Sequence, residues 1–335
     1  MALEMELEHG GNIFAVARER GWDWREVLDF SASINPLGYA ACVRAAICGA
    51  LDRIGHYPER EPVRLRRALA ALWGIGEEQI LLGNGATELI FFAARAFGGR
   101  DVTLALPVFS EFHRAFPKAR TTSLADSSQW PDSGLLVLTR PANPTGCTLD
   151  LDSLRDRQSP VLIDESFLEF SGKPSAATLT DSHPLFVLRS LTKFYALPGL
   201  RIGALIGSAD AVRSWRQLRE PWQVNVLAEE AALAALMDTE HAAQSIEFVR
   251  SERIWLHAQL QSIQGVQPVE SDVNFIYIGL PYPAHPLSEF LLRHKILIRN
   301  CTGWPGLAGE AIRIAVRPRE ENERLLECWR KFKCA

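Results

Sequence analysis

The sequence predicts an α/β fold, with a large domain built on a mostly parallel central sheet and a smaller α+β domain after it. Three observations carry this prediction. Between residues 80 and 206, short apolar runs alternate with amphipathic stretches, the pattern of strands joined by helical crossovers. Several runs, such as ILL at 80–82 and VLI at 161–163, are continuously apolar, which suits strands covered on both faces. Beyond residue 225 the pattern changes to a long helical tract, then to short strands and a closing helix.

Taken in order, residues 1–35 are rich in Gly and Asn and read as an N-terminal arm joining the small domain rather than a core element. The large domain is expected over 36–230, with strands at 80–82, 102–106, 135–139, 161–164, 186–189 and 204–206. Helices are expected at 87–97, where apolar residues recur at helical spacing, and at 110–116. The small domain, 231–335, takes the helical tract through Gln261, strands at 275–278 and 312–316, and a helix from Arg319.

Composition narrows the function. At 335 residues the chain has room for two domains, and 47% hydrophobic with 23% charged residues describes an ordinary globular protein. A net charge of −4 argues against a general nucleic-acid binder or an anionic-membrane binder. The longest apolar stretches are interrupted by polar residues, so no membrane span is expected. The start, MALEMELEHGGN, lacks a basic residue followed by an apolar run, so no secretion signal is expected. Six cysteines without a C-x-x-C pair read as free thiols of a cytoplasmic protein, with no metal site. Only six of 36 basic residues are lysine, so chemistry that needs a lysine amine has six candidates.

In an open α/β sheet, ligands bind beyond the carboxyl ends of the strands. After the strand at 80–82 comes GNGATE, a small-residue turn opening a helix, which is either a phosphate site or simply a turn. After 135–139 comes RPANPTG, which puts Asn143 in a proline-flanked loop where Asn and Pro are also ordinary turn residues. Asp164 ends the next strand, as a ligand carboxylate or a helix cap. Ser190, Thr192, Lys193 and Arg201 cluster after the strand at 186–189. Together these are the groups pyridoxal phosphate requires: a lysine for a Schiff base, a carboxylate for the ring nitrogen, an amide for the phenolic oxygen and a phosphate cradle.

Five segments in this order, HYPERE, GNGATE, PANPTG, LIDESF and SLTKFYALPGLRIG, resemble the fold-type-I pyridoxal-phosphate enzymes across almost the whole chain. The ending AIRIAVRPREENERLL is similar to the histidinol-phosphate aminotransferase subgroup. Within it, HGGNIFAVARERG and DFSASINPLG resemble the L-threonine-O-3-phosphate decarboxylases of cobalamin biosynthesis. The resemblance implies that Lys193 is the Schiff-base lysine, Asp164 the partner of the ring nitrogen and Asn143 the partner of the phenolic oxygen. It implies a phosphate cradle of Gly85, Ala86, Thr87, Ser190, Thr192 and Arg201, with Phe109 stacked on the ring. Tyr57 would reach the cofactor phosphate of a second subunit, which implies a homodimer. Where aminotransferases carry a tyrosine, this chain has Phe167, which weakens the transaminase reading without excluding it.

A phosphorylated amino-acid substrate needs two anion sites. Strand alternation at 312–316 sets Arg313 on the face opposite Ile312 and Ile314, and a guanidinium fork suits a carboxylate. An internal salt bridge is the alternative; the resemblance gives Arg313 the α-carboxylate and Arg299 the substrate phosphate. His9, Asn12, Ser33, Asn35 and Asn143 are further substrate candidates. Decarboxylation is the leading expectation, with histidinol-phosphate or related amino-acid transamination as the alternative, since both use the same visible residues. A regulator that binds the cofactor without turnover, or a nucleotide-dependent enzyme, fits less well, because no DNA-binding domain and no Rossmann or Walker motif is visible.

Overall fold

The computed structural model describes residues 10–155 and 157–333. Helix α1 (Ile13–Arg20) stops where Gly21 turns left-handed at φ 67°, and strand β1 (Leu28–Asp29) follows. Helices α2 (Ala41–Gly49) and α3 (Val63–Trp73) precede the central sheet. In α3, Leu65 and Leu69 lie one turn apart and are fully buried.

Seven strands form the central sheet: β2 (Ile80–Gly83), β3 (Val102–Leu106), β4 (Arg120–Ser123), β5 (Leu135–Thr139), β6 (Val161–Asp164), β7 (Leu185–Ser190) and β8 (Gly203–Ile206). Among them run α4 (Gly85–Ala96), α5 (Ser110–Ala115), α6 (Asp152–Arg155) and α7 (Leu191–Phe194). The order is β2-β8-β7-β6-β5-β3-β4, with β8 antiparallel to both its neighbours and the remaining pairs parallel. The start of β8 therefore lies at the edge where the other strands end. Leu81, Leu104, Val137, Leu162, Leu188 and Leu205 join α4 and α5 in one core. Leu82, Leu136, Ile163, Val187 and Ile206 enter the cores on the opposite face. Burial on both sides is why the runs are continuously apolar.

The sequence reading missed β4. Its residues RTTS are exposed or half-buried at the sheet's edge, so they carry no apolar signature. At the other edge, Arg216 and Arg219 cap β2 by donating to the carbonyl oxygens of Ile80 and Leu82. This satisfies acceptors that a bare edge leaves open.

After α8 (Ala209–Gln217), the helical tract divides into α9 (Val226–Met237) and α10 (Thr239–Gln261). Asp238 separates them and caps α10 by accepting from the His241 N–H at 2.9 Å. The remaining strands are β9 (Gln267–Pro268), β10 (Phe275–Leu280), β11 (Ile296–Leu297), β12 (Arg299–Asn300) and β13 (Glu310–Ala315), with helices α11 (Ala284–Arg293) and α12 (Arg319–Arg330). Strands β12-β13-β10-β9 form an antiparallel sheet. Strand β11 pairs in parallel with β1.

That pairing corrects one expectation. The segment joins the small domain as expected, but its end is core rather than arm: Phe30, directly after β1, is fully buried with Leu256, Ile276, Ile314 and Trp329. A two-residue strand and a single aromatic are too short to give a periodic signal, although the partner across the chain makes them core.

Candidate active site

A cavity of about 740 Å³ opens at the carboxyl edge of the central sheet, between that edge and β12–β13. Cross-strand register brings the functional groups together there. Gly83 of β2 and Ser190 of β7 both pair with Gly203, the first residue of the reversed strand β8. Arg201, two residues before that start, is thereby delivered to the same edge as the beginning of α4. Gly85 has φ +84°, and a Cβ there would sit 2.6 Å from Arg201 Nη2. A Cβ on Gly203 would lie 2.8 Å from the Ala86 nitrogen. Glycine at both positions lets the guanidinium and the α4 backbone approach. Ser190 Oγ and Thr192 Oγ1 lie 2.8 Å apart beside them.

Lys193 is half-buried, and its Nζ donates to Ser190 Oγ at 3.2 Å. Burial, with the charges of Arg201 and Arg313, pushes its amine down to about 8, while the Asp164 carboxylate opposes the shift. Asp164 is 4% exposed and accepts from the Ser166 N–H at 2.9 Å. Burial raises its pKa; the Ser166 hydrogen bonds and the Lys193 charge work against that rise. Asn143, at the end of the loop after β5, accepts at Oδ1 from Arg313 Nη1 at 2.6 Å.

On β13, Ile312 and Ile314 enter the core while Arg313 lines the cavity, paired directly opposite Arg299 of β12. Arg313 Nη2 donates to the Ser31 carbonyl at 3.0 Å, and its Nε has no partner among the described residues. The fork thus rests on two neutral acceptors, and its charge is left for an anion. Arg299 is 6% exposed, with its guanidinium 5.5 Å from the Trp304 ring centroid. Ser33 is buried, lines the cavity and has an Oγ without a partner among the described residues. A buried hydroxyl in that state calls for a ligand or water.

Ala86, Thr87, Phe109, Asn143, Asp164, Thr192, Lys193, Arg201, Arg299, Arg313 and Ser33 line the cavity, with Gly85 and Ser190 directly behind. The remaining predicted residues lie elsewhere. Asn35 does not line the cavity: its amide donates to Phe194 O and Ser245 Oγ, each at 2.8 Å, so it fastens the segment around Lys193. Asn12 is exposed just ahead of α1 and is also outside the cavity wall. Tyr57 stands 81% exposed, stacked on Trp222 at 4.9 Å. His9 lies outside the described residues. Glu111, Arg114, Asp29 and Trp304 line the cavity without having been singled out. In SEFHRA the glutamate and arginine read as an ordinary amphipathic helix, so the sequence held no signal for them.

A buried ionic network lies behind Asp164. Glu165, fully buried, accepts from Arg140 at 3.0 Å, Arg189 at 3.2 Å, the Ala176 N–H at 2.9 Å and Ser175 Oγ. Arg189 Nη2 also pairs with Glu169 at 2.8 Å. Arg140, Glu165 and Arg189 sit on the ends of β5, β6 and β7, the elements that carry Asn143, Asp164 and Lys193.

Pyridoxal phosphate fits these residues: an amine held near neutrality, a buried carboxylate, an amide and an arginine packed against a glycine-opened helix start. Fold and site together define a pyridoxal-phosphate-dependent enzyme. The sequence matches the aminotransferase class I and II family over residues 25–328, and the chain belongs to that family. Among its relatives, threonine-phosphate decarboxylase of Salmonella typhimurium is 35% identical over 96% of this chain and 95% of that protein. Histidinol-phosphate aminotransferase of Methanothermobacter thermautotrophicus is 28% identical over 95% of this chain and 92% of that protein. A crystal structure of L-threonine-O-3-phosphate decarboxylase from Porphyromonas gingivalis shares the fold with a TM-score of 0.84 at 24% identity, covering 91% of this chain and 99% of that one.

Proposed function

We propose that this enzyme decarboxylates L-threonine O-3-phosphate to (R)-1-amino-2-propanol O-2-phosphate and CO2, a step of cobalamin biosynthesis. The observation that carries the reading is the full-length identity to a threonine-phosphate decarboxylase. Two buried arginines paired across β12 and β13 support it, since this substrate bears two anionic groups.

Lys193, Asp164, Asn143 and Phe109 would hold the ring end of pyridoxal phosphate; Gly85, Ala86, Thr87, Ser190, Thr192 and Arg201 would hold its phosphate. Bound there, the cofactor supplies an electron sink for the bond that breaks at Cα. Arg313 would hold the α-carboxylate and Arg299 the substrate phosphate, and together they would fix the substrate's orientation and so select which bond at Cα breaks. Where the bond to the carboxylate is selected, CO2 would leave and Lys193 or a water would return a proton to Cα. Where the Cα–H bond is selected instead, Lys193 would remove that proton, the first step of transamination. Phe167 packs edge-on against Phe275 at 5.0 Å and brings no hydroxyl to the site.

The test is substrate profiling of the purified enzyme. L-Threonine phosphate should release CO2 and an amine phosphate in equal amounts. Keto-acid-dependent conversion of histidinol phosphate without CO2 would replace this reading by the aminotransferase one.

A cytoplasmic homodimer completes the proposal. No helix among the described residues is long and apolar enough to cross a membrane, and Cys42, Cys48, Cys147, Cys301 and Cys328 are free thiols. Leu51, Ile54, Tyr57 and Trp222 are exposed apolar residues of the kind a partner subunit covers, and Tyr57 is the residue that would reach the neighbouring site. Sedimentation should give two chains per particle, and Trp222→Glu should shift it towards one with loss of turnover. A fully active monomer would reject the shared site.

A further inference from the structure

The geometry points to Arg114 as a second cation for the substrate's phosphate, oriented by the buried carboxylate of Glu111. This inference rests on the reading that the substrate is a phosphate monoester, and charge is where it starts. A phosphate monoester carries about −1.5 to −2 near neutral pH. The α-carboxylate engages Arg313, and Arg201 is turned to the cofactor's phosphate. Arg299 offers one guanidinium to three phosphate oxygens, and although Glu111 offsets the charge of Arg114, the remaining N–H groups of Arg114 stand as further donors.

Arg114 also lines the cavity, on the last turn of α5. Its Nη1 contacts both oxygens of Glu111 at 3.0 Å, and among the described residues this is the only part of the guanidinium engaged. The Arg114 side chain is 68% exposed, whereas that of Glu111 is 4% exposed. The pair is therefore unlike an ordinary surface ion pair, in which both ends are solvated and mobile. Its anchor is fixed in the wall, and the free edge of the guanidinium faces open space.

The loop that follows Arg299 packs against the segment that leads into α5. Trp304, under the Arg299 guanidinium, donates its indole N–H to the Val108 carbonyl at 3.1 Å, one residue before Phe109 introduces α5. Gly306, at φ +84°, packs so closely that a Cβ there would meet Leu106 Cβ at 2.5 Å. The loop after Arg299 and the segment leading into α5 thus form one contact in the cavity wall. Paired charged hydrogen bonds to one phosphate are strong and directional.

The experiment compares wild type, Arg114→Ala and Arg114→Lys with L-threonine phosphate and with unphosphorylated L-threonine, and uses inorganic phosphate as a competitor. Arg114→Ala should raise KM for the phosphorylated substrate by about 10- to 100-fold with kcat within about twofold. Inhibition by inorganic phosphate should weaken by a similar factor, kcat/KM for L-threonine should not move, and Arg114→Lys should recover part of the loss. An unchanged KM and unchanged phosphate inhibition would overturn the inference, as would equal losses on both substrates. If wild type releases no CO2 from L-threonine phosphate, the decarboxylase reading fails. The phosphate competition, run with whichever amino acid the enzyme does use, still decides the role of Arg114.

Discussion

Lys193→Ala is expected to lose the borohydride-reducible bond to pyridoxal phosphate and at least about 10⁴-fold in turnover, because nucleophile and proton-transfer group vanish together. Cofactor would still dock through Arg201 and the α4 start, so the variant separates docking from covalent capture. The wild-type apoprotein supplies the matching pH test. Burial and the positive charges of Arg201 and Arg313 disfavour the ammonium form, which places the amine at about 8. The neutral amine is the nucleophile, so capture should accelerate as pH rises through about 8 and level off above it. An ordinary lysine would show the same rise near 10.4. Capture centred near 10, or normal turnover by Lys193→Ala, would reject the assignment.

Glu165→Ala should be the most destabilising single change near the site. It strands the buried Arg140 and takes one of two carboxylates from the buried Arg189, whose side chains are 3% and 5% exposed. Removing one partner of a buried ionic network costs about 3–5 kcal/mol, because Arg140 is left with neither water nor counter-ion. Thermal melts should fall by roughly 5–10 °C. Glu165→Gln keeps the shape and one acceptor oxygen, so it should fall by less. Turnover should drop in both, since the ends of β5, β6 and β7 lose their common tie beside Asn143, Asp164 and Lys193. A melting point within about 1 °C of wild type in Glu165→Ala would show that the network contributes little.

Much of this was legible in the sequence where the information is local. Runs buried on both faces of a sheet must be apolar throughout, so β2, β5 and β6 stand out. The polar edge strand β4 does not, because one side of it faces water. Alternation along 312–316 suffices to set Arg313 opposite Ile312 and Ile314, whatever lies beyond. The end of the arm misled for the converse reason: β1 pairs with β11, 268 residues later, and Phe30 is buried by residues beyond position 255, partners no local window contains. Asn35 was singled out by its motif, yet the fold commits its amide to Phe194 and Ser245.

The class of chemistry is local information. With six lysines, only Lys193 follows a buried strand in company with hydroxyls and an arginine, and strand-end position is a local property. The tertiary structure alone decided which charges share the cavity. It turned Arg201 towards Gly85 by reversing β8, set Arg299 against Arg313 across two strands, and placed Glu111 and Arg114 in the wall of the same cavity. Those juxtapositions depend on register and packing between distant segments, and no spacing along the chain encodes them.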